Sequence, residues 1–240
     1  SELIEVARGL RPADLVLKNG NIVNVVSGEV IKGDLAIYKD RIVGMGDYEG
    51  HRTMDVQGAF IAPGFIDAHM HLESSMVTAK EFARAVVPRG TTSVVCDPHE
   101  IANVLGLDGI KYILDSSEGL PMDVFVMLPS CVPSTHLETG GATLSAKDLA
   151  SLADHPRVLG LGEMMNVPGV LNLLPDVLDK LDLFSDKVID GHCPQLTGKD
   201  LAAYVSAGIS SDHECSDKEE ALEKLRNGMH LMLREGTAAK

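Results

Sequence analysis

Pro63-Gly64-Phe65-Ile66-Asp67-Ala68-His69-Met70-His71-Leu72-Glu73 is an apolar run that ends in a cluster of polar, chemistry-bearing side chains. On a strand, residues two apart face the same way, so His69 and His71 project together, and two imidazoles at that spacing can hold one metal ion. Taken alone, a His-x-His pair is equally well read as two polar residues at a strand end. The rest of the chain decides between these readings.

From about Ala59 the same grammar recurs: a short apolar strand, a polar cluster, then a helix. Candidate strands cover residues 60–71, 91–97, 122–131, 158–164, 188–193, 208–215 and 229–234. Helices are expected after Ser145, Thr197 and Ser216, each followed by helix-forming, acid-rich residues. In the last of these, Ala221, Leu222 and Leu225 share one face, and Glu220 and Lys224 are expected on a solvated face. Near-continuous apolar strands alternating with helices imply a parallel sheet covered on both faces. Polar clusters close several strands, at residues 67–73, 97–100, 162–166, 190–193 and 211–214. Chemistry gathered at many strand C-terminal ends is the arrangement of a TIM-type (β/α)8 barrel, whereas a doubly wound sheet concentrates its site at one switch point. The expected fold is therefore α/β, a TIM-type barrel with about seven of its strands present, on residues 58–240.

Residues 1–57 read differently. Short β-branched runs joined by Asn19-Gly20 and Lys39-Asp40 turns predict a small antiparallel β module, an incomplete β-sandwich, with no helix-length periodic segment.

Composition narrows the function. The chain has 240 residues, 45% hydrophobic and 23% charged, an ordinary globular balance. A net charge of -14 and 4% aromatic content, with no Trp, leave little for a phosphate backbone or for base stacking, so nucleic acid is not an expected partner. No apolar stretch is long enough to span a bilayer, and the start lacks a basic segment, so no membrane partner is expected. Four scattered cysteines form no Cys-x-x-Cys pair, which predicts reduced thiols and a cytoplasmic location.

Three further residues join the His-x-His pair at strand ends. Glu163 follows the buried run Gly160-Leu161-Gly162, His192 lies in Asp190-Gly191-His192-Cys193-Pro194, and His213 in Ser211-Asp212-His213-Glu214. Each alone is well explained as a satisfied polar side chain. Five candidate ligands on four strand ends of one barrel point to a metal centre, in which one carboxylate can bridge two ions. His99, Glu100 and Glu73 are secondary candidates, for the substrate pocket or for orienting a ligand. The Pro-Cys-x-x-Cys of zinc-dependent cytidine deaminases is absent, although His71-Leu72-Glu73 and His136-Leu137-Glu138 match its His-x-Glu half. There is likewise no His-Glu-x-x-His and no Gly-x-Ser-x-Gly.

With these residues in view, the chain resembles the adenine deaminases of the amidohydrolase superfamily from about Arg8 to Lys240. The matching stretches are 63–76, ending Glu73-Ser74-Ser75-Met76, then Asp97-Pro98-His99-Glu100-Ile101, Gly162-Glu163-Met164-Met165, residues 190–194, and Arg234-Glu235-Gly236. The resemblance implies that His69 and His71 bind one metal, Glu163 bridges, and His192 and His213 bind the second, with Glu163 and His213 as catalytic residues. It implies two divalent ions, manganese or iron, with zinc compatible by ligand type, and a free purine base as substrate. The implied reaction is hydrolytic removal of the 6-amino group of adenine by a metal-bridging hydroxide, giving hypoxanthine and ammonia. The superfamily's Asp after strand eight is not found before Lys240, so the barrel is expected to be truncated before strand eight. A homo-oligomer or a complementary C-terminal segment is the expected protein partner. The alternatives are a non-catalytic metal-binding fragment, or another amidohydrolase acting on a cyclic amide or a different aminated base.

Overall fold

The computed structural model describes residues 2–135 and 137–234. His136 and the Glu235-Gly236 end of the last matching stretch lie outside these residues. The chain divides into two compact units, Ser1–Gly64 and Phe65–Lys240.

In the first unit a short helix, Glu2–Ala7, precedes five strands: β1 (Ala13–Asn24), β2 (Glu29–Tyr38), β3 (Arg41–Met45), β4 (Gly50–Asp55) and β5 (Phe60–Ile61). The helix corrects the expectation of an all-β module. It buries only Val6, so it carries no apolar period to be read, and acidic Glu2 and Glu5 favour its N-terminal end. The module is also mixed rather than wholly antiparallel. β1 pairs antiparallel with β2, but β4 and β5 run parallel to it. β1 is twelve residues long, so its free edge accommodates both short strands in succession, β4 along Ala13–Lys18 and β5 at Asn21-Ile22. Val6, Ala13, Val16 and Ala36 form the small core.

The second unit holds seven strands: β6 (Phe65–Met70), β7 (Thr91–Cys96), β8 (Asp123–Leu128), β9 (Val158–Met164), β10 (Val188–Gly191), β11 (Ser211–Asp212) and β12 (His230–Leu231). β6 to β10 form one parallel sheet in sequence order, and β11 pairs parallel with β12. Ser210 N–H donates to Ile189 O at 3.0 Å, which ties β11 to β10. Helices intervene between the strands, and a single apolar core runs through strands and helices. This is the curled parallel sheet of a partial TIM-type barrel.

The expected strand 60–71 is broken in two. Phe60-Ile61 pair with β1 in the first unit, and β6 begins at Phe65. Pro63 has no N–H to give a ladder, and it falls at this break. Among the expected helices, Ala146–Ala150 starts with a full capping box between Ser145 and Asp148. Lys218–Arg226 is capped by Asp217, one residue later than expected. Its orientation is the opposite of the expected one. Glu220 and Lys224 are 5% and 0% exposed, whereas Leu222 and Leu225 are 36% and 52% exposed. Among the described residues no helix is long and apolar enough to cross a membrane.

Candidate metal centre

The strand C-terminal ends of the barrel bring the five predicted ligands together. Glu163, the penultimate residue of β9, is 3% exposed and sits at the middle of the group. Its Oε2 lies 2.7 Å from His192 Nδ1 and 2.9 Å from His213 Nε2, and its Oε1 lies 3.3 Å from His71 Nε2. His69 completes the set: its ring stacks on His213 with centroids 3.9 Å apart and meets His71 edge-on at 4.9 Å.

Two ligand sets share one carboxylate. Donor atoms of His69, His71 and Glu163 lie within 4.8 Å of one another, as do those of Glu163, His192 and His213. Imidazole and carboxylate donors suit zinc, iron and manganese. His69 Nε2 is buried with no hydrogen-bond partner, an orphan that a metal ion would satisfy. The donor atoms therefore fit divalent metal, with Glu163 common to both groups.

The supports of these ligands are polar bonds to the ends of neighbouring strands. His71 Nδ1 donates to Asp97 O at 2.8 Å, which leaves Nε2 as the ligating nitrogen. Glu163 N–H donates to Asp97 Oδ2 at 2.8 Å, and Ser130 Oγ donates to Glu163 O at 2.6 Å. Gly162 makes room for this arrangement, because a Cβ there would meet Asp97 Oδ2 at 2.3 Å. Tyr204, fully buried, accepts from His192 N–H at 3.1 Å and donates to Met164 O at 2.6 Å. Sequence alone assigns no role to Asp97 or Tyr204. Asp97 carries a signal, the polar close of a buried strand, but Tyr204 sits inside a helix with none.

His99 meets the same Glu163 Oε1 as His71, at 3.3 Å, and lies 3.6 Å from Asp97 Oδ1. With Asp97 and Glu163 it forms a third ligand-competent group. Glu73 is placed differently. Its Oε1 accepts from Glu100 N–H at 3.0 Å and Ile101 N–H at 3.2 Å, at the start of the helix His99–Leu105, and not from an imidazole. Glu100 turns its own carboxylate to the Ser74 hydroxyl at 2.6 Å.

The electrostatics divide the histidines. Burial, reinforced by the neighbouring His213, lowers the His69 pKa to about 3, so this ring is neutral and ready to ligate. Burial also opposes charge on His99, but the Asp97 and Glu163 carboxylates overcome it and raise its pKa to about 9. Burial disfavours the Glu163 charge as well, yet His192 and His213 hold that carboxyl below the usual range. A cleft of about 760 Å³, lined by His69, His71, His213 and Arg234 among others, opens onto the centre. Arg234 at its rim pairs with Glu214.

Residues 60–240 match the amidohydrolase family profile. The chain is 56% identical over 239 residues to adenine deaminase 2 of Carboxydothermus hydrogenoformans, covering 100% of this chain and 42% of that protein. It is 58% identical over 241 residues to the adenine deaminase of Clostridium acetobutylicum, again covering 100% of this chain and 42% of the relative. The chain thus spans about two-fifths of the length of these curated relatives. Among solved structures it resembles a zinc-complexed N-acyl-D-glutamate deacylase from Bordetella bronchiseptica, with a TM-score of 0.61 at 16% identity, covering 93% of this chain and 58% of that one. A dihydroorotase gives a TM-score of 0.58 at 16% identity, covering 90% and 64%. At such identities the likeness concerns the fold alone.

Proposed function

The chain belongs to the amidohydrolase family, and from that premise we propose that it carries the metal-holding part of an adenine deaminase. The observation that carries the reading is one buried carboxylate, Glu163, shared between the His69–His71 and His192–His213 ligand sets. In this reading His69 and His71 would hold one divalent ion and His192 and His213 the other, with Glu163 shared by both sets. Manganese or iron is the proposed metal, and zinc is compatible with the same donors. Two bound ions lower the pKa of water, which makes hydroxide available near neutral pH.

The residues themselves supply position. Glu163 and His213, 2.9 Å apart, are assigned to hydrolysis at C6 of adenine, with ammonia leaving, as ligands that would fix the ions beside the reacting carbon. Asp97, Ser130 and Tyr204 keep the strand ends in place. The β module of residues 1–57 is assigned no chemistry. The identity to proteins named adenine deaminase supports adenine as the substrate, since metal ligands alone do not report the leaving group. A free purine base in the cytoplasm is the proposed setting, and Cys96, Cys131, Cys193 and Cys215, all unpaired, support a reducing compartment.

A second reading is favoured by one observation, the coverage of 42% of the relatives. In it these residues bind metal without turnover until a complementary C-terminal segment or a second copy completes the site. The test loads the chain with manganese, counts bound metal, and follows conversion of adenine to hypoxanthine. The assay is run on the chain alone and on a chimera carrying the remaining C-terminal segment of the Clostridium acetobutylicum relative. Two equivalents of metal with ammonia release by the chimera are expected. A chain that takes up no manganese, or a loaded chimera inert towards adenine, refutes the proposal. Turnover by the chain alone removes the second reading.

A further inference from the structure

We infer that Lys224 is a positioning residue for the His192–His213 half of the metal centre, acting through a buried network with Asp212 and Glu220. The inference rests on the proposed ligand roles of those two histidines.

Lys224 and Asp212 are both 0% exposed. The Lys224 ammonium donates to Asp212 Oδ2 at 2.9 Å, to Glu220 Oε1 at 2.6 Å and to the Cys193 carbonyl at 2.7 Å, which fills its three donor positions. The acceptors matter more than the pairing. Cys193 directly follows His192, and Asp212 directly precedes His213. Asp212 Oδ1 accepts from Cys193 N–H at 2.8 Å, and its Oδ2 accepts from Glu214 N–H at 3.2 Å. One carboxylate therefore joins the peptide after His192 to the peptide after His213, and the ammonium fixes that carboxylate from behind. Glu220 extends the clamp by accepting from Gln195 N–H at 2.7 Å and Ser216 N–H at 3.0 Å, one on each ligand-bearing loop.

Asp212, Cys215 and Glu220 themselves form a group with metal-ligand spacing. Lys224 occupies it as the resident cation, so it is no additional metal site. Burial opposes both charges, yet the Cys193 N–H and the Lys224 ammonium hold Asp212 below its ordinary range, and Glu220 and Asp212 hold Lys224 above its own. A buried ion pair is weak evidence for stability, because desolvation offsets most of the attraction. What this pair does supply is a fixed spacing between two peptides whose side chains must meet one ion within a few tenths of an ångström.

No ladder performs this task. β10 is four residues and β11 two residues long, and both end just before His192 and His213. The backbone carrying each imidazole has left the sheet, and polar side chains take over. Weakening the clamp should therefore loosen one metal position and spare the other, which depends on β6 and Asp97.

The experiment titrates manganese into the chelator-treated chain, by equilibrium dialysis with metal analysis and by electron paramagnetic resonance of the bound ion. Lys224→Met, Asp212→Asn and His192→Ala are compared with the unaltered chain, with folding checked by circular dichroism. The unaltered chain should bind two equivalents and show a spin-coupled spectrum. Lys224→Met and Asp212→Asn should weaken one equivalent by about tenfold to a hundredfold, the range for residues that orient ligands, and change the other by less than about twofold. Their spectra should become those of isolated ions at subsaturating metal. If Lys224→Met does not fold, Asp212→Asn decides, because its amide oxygen can still accept from Cys193 N–H. Two unweakened equivalents in the folded variants, or equal weakening of both, overturn the positioning role. If His192→Ala binds like the unaltered chain, the ligand reading itself falls.

Discussion

Two histidines of the centre should make the stability of the metal-stripped chain pass through a maximum near neutral pH, because they titrate in opposite directions. His99 has its pKa raised to about 9, with burial opposed by Asp97 and Glu163. A histidine whose pKa is raised on folding contributes stability that is full below its unfolded value of about 6.5 and is lost as pH rises through the folded value. Between about pH 6 and 8 that loss comes to about 2 kcal/mol at 1.36 kcal/mol per unit. His69 has its pKa lowered to about 3 by burial and by His213. The unfolded chain then takes up the proton first, so acid costs stability, about 2 kcal/mol between about pH 7 and 5. Summed, the two contributions peak near about pH 6.5 and fall by about 1 kcal/mol at pH 5 and at pH 8.

Urea unfolding in the presence of a chelator measures this, and two variants assign the limbs. Other groups also titrate, so the informative quantity is the difference between the parent and each variant across pH. The stability advantage of the parent over His99→Gln should shrink by about 2 kcal/mol from pH 6 to 8, and its advantage over His69→Gln should shrink similarly from pH 7 to 5. If His99→Gln keeps the parent's alkaline slope, or His69→Gln its acid slope, the pairing of His99 with two carboxylates and the isolation of His69 are wrong.

Three further substitutions probe the supports. Asp97→Asn keeps the shape at Glu163 N–H but removes a charge beside His99, so manganese affinity should drop by about tenfold to a hundredfold. In the same variant the His99 imidazole, followed by nitrogen NMR, should titrate below about 9. Gly162→Ala brings a methyl against Asp97 Oδ2 and should cost about 1–3 kcal/mol in thermal unfolding together with part of the metal affinity; an unchanged melting point would contradict the close packing. Ser145→Ala breaks the capping box of a helix remote from the ligands; about 1 kcal/mol of stability should go with metal uptake unaltered, as dialysis would record.

Strands β6 to β10 are legible as apolar runs closed by polar residues, whereas β11 and β12 are two-residue strands, Ser211-Asp212 and His230-Leu231, within the longer expected runs 208–215 and 229–234. The candidate ligands are legible because they sit in the polar clusters that close the strands. What the sequence hid is instructive. The split at Pro63-Gly64 was masked by apolar residues continuing on both sides, although Phe60-Ile61 and Phe65–Met70 belong to different sheets. The helix Lys218–Arg226 misled for a deeper reason. Counting apolar residues selects the Leu222–Leu225 face, but the buried face is that of Glu220 and Lys224. Its anchor is Asp212, twelve residues away in the chain and on a different strand end, and helical periodicity contains no information about such a partner.

That same partner explains why the centre lies where it does. A parallel ladder satisfies backbone groups only while strands run side by side, and the peptides just beyond it need other partners when buried. Here those partners are side chains of adjacent strand ends and helices: Asp97 for Glu163 N–H, Tyr204 for His192 N–H, Asp212 for Cys193 N–H. Each bond that satisfies a peptide also fixes the side chain that peptide carries or borders. The polar atoms required to end the strands are thus the atoms that aim the ligands, and a metal centre at this end of the barrel needs few groups beyond them. Replacing an apolar residue beneath the centre, such as Leu161, fully buried on β9, should lower overall stability by about 2–5 kcal/mol as Leu161→Ala while leaving the ratio of the two metal affinities unchanged. Only the strand-end polar residues should alter that ratio, and a Leu161→Ala chain that selectively lost one ion would refute the division.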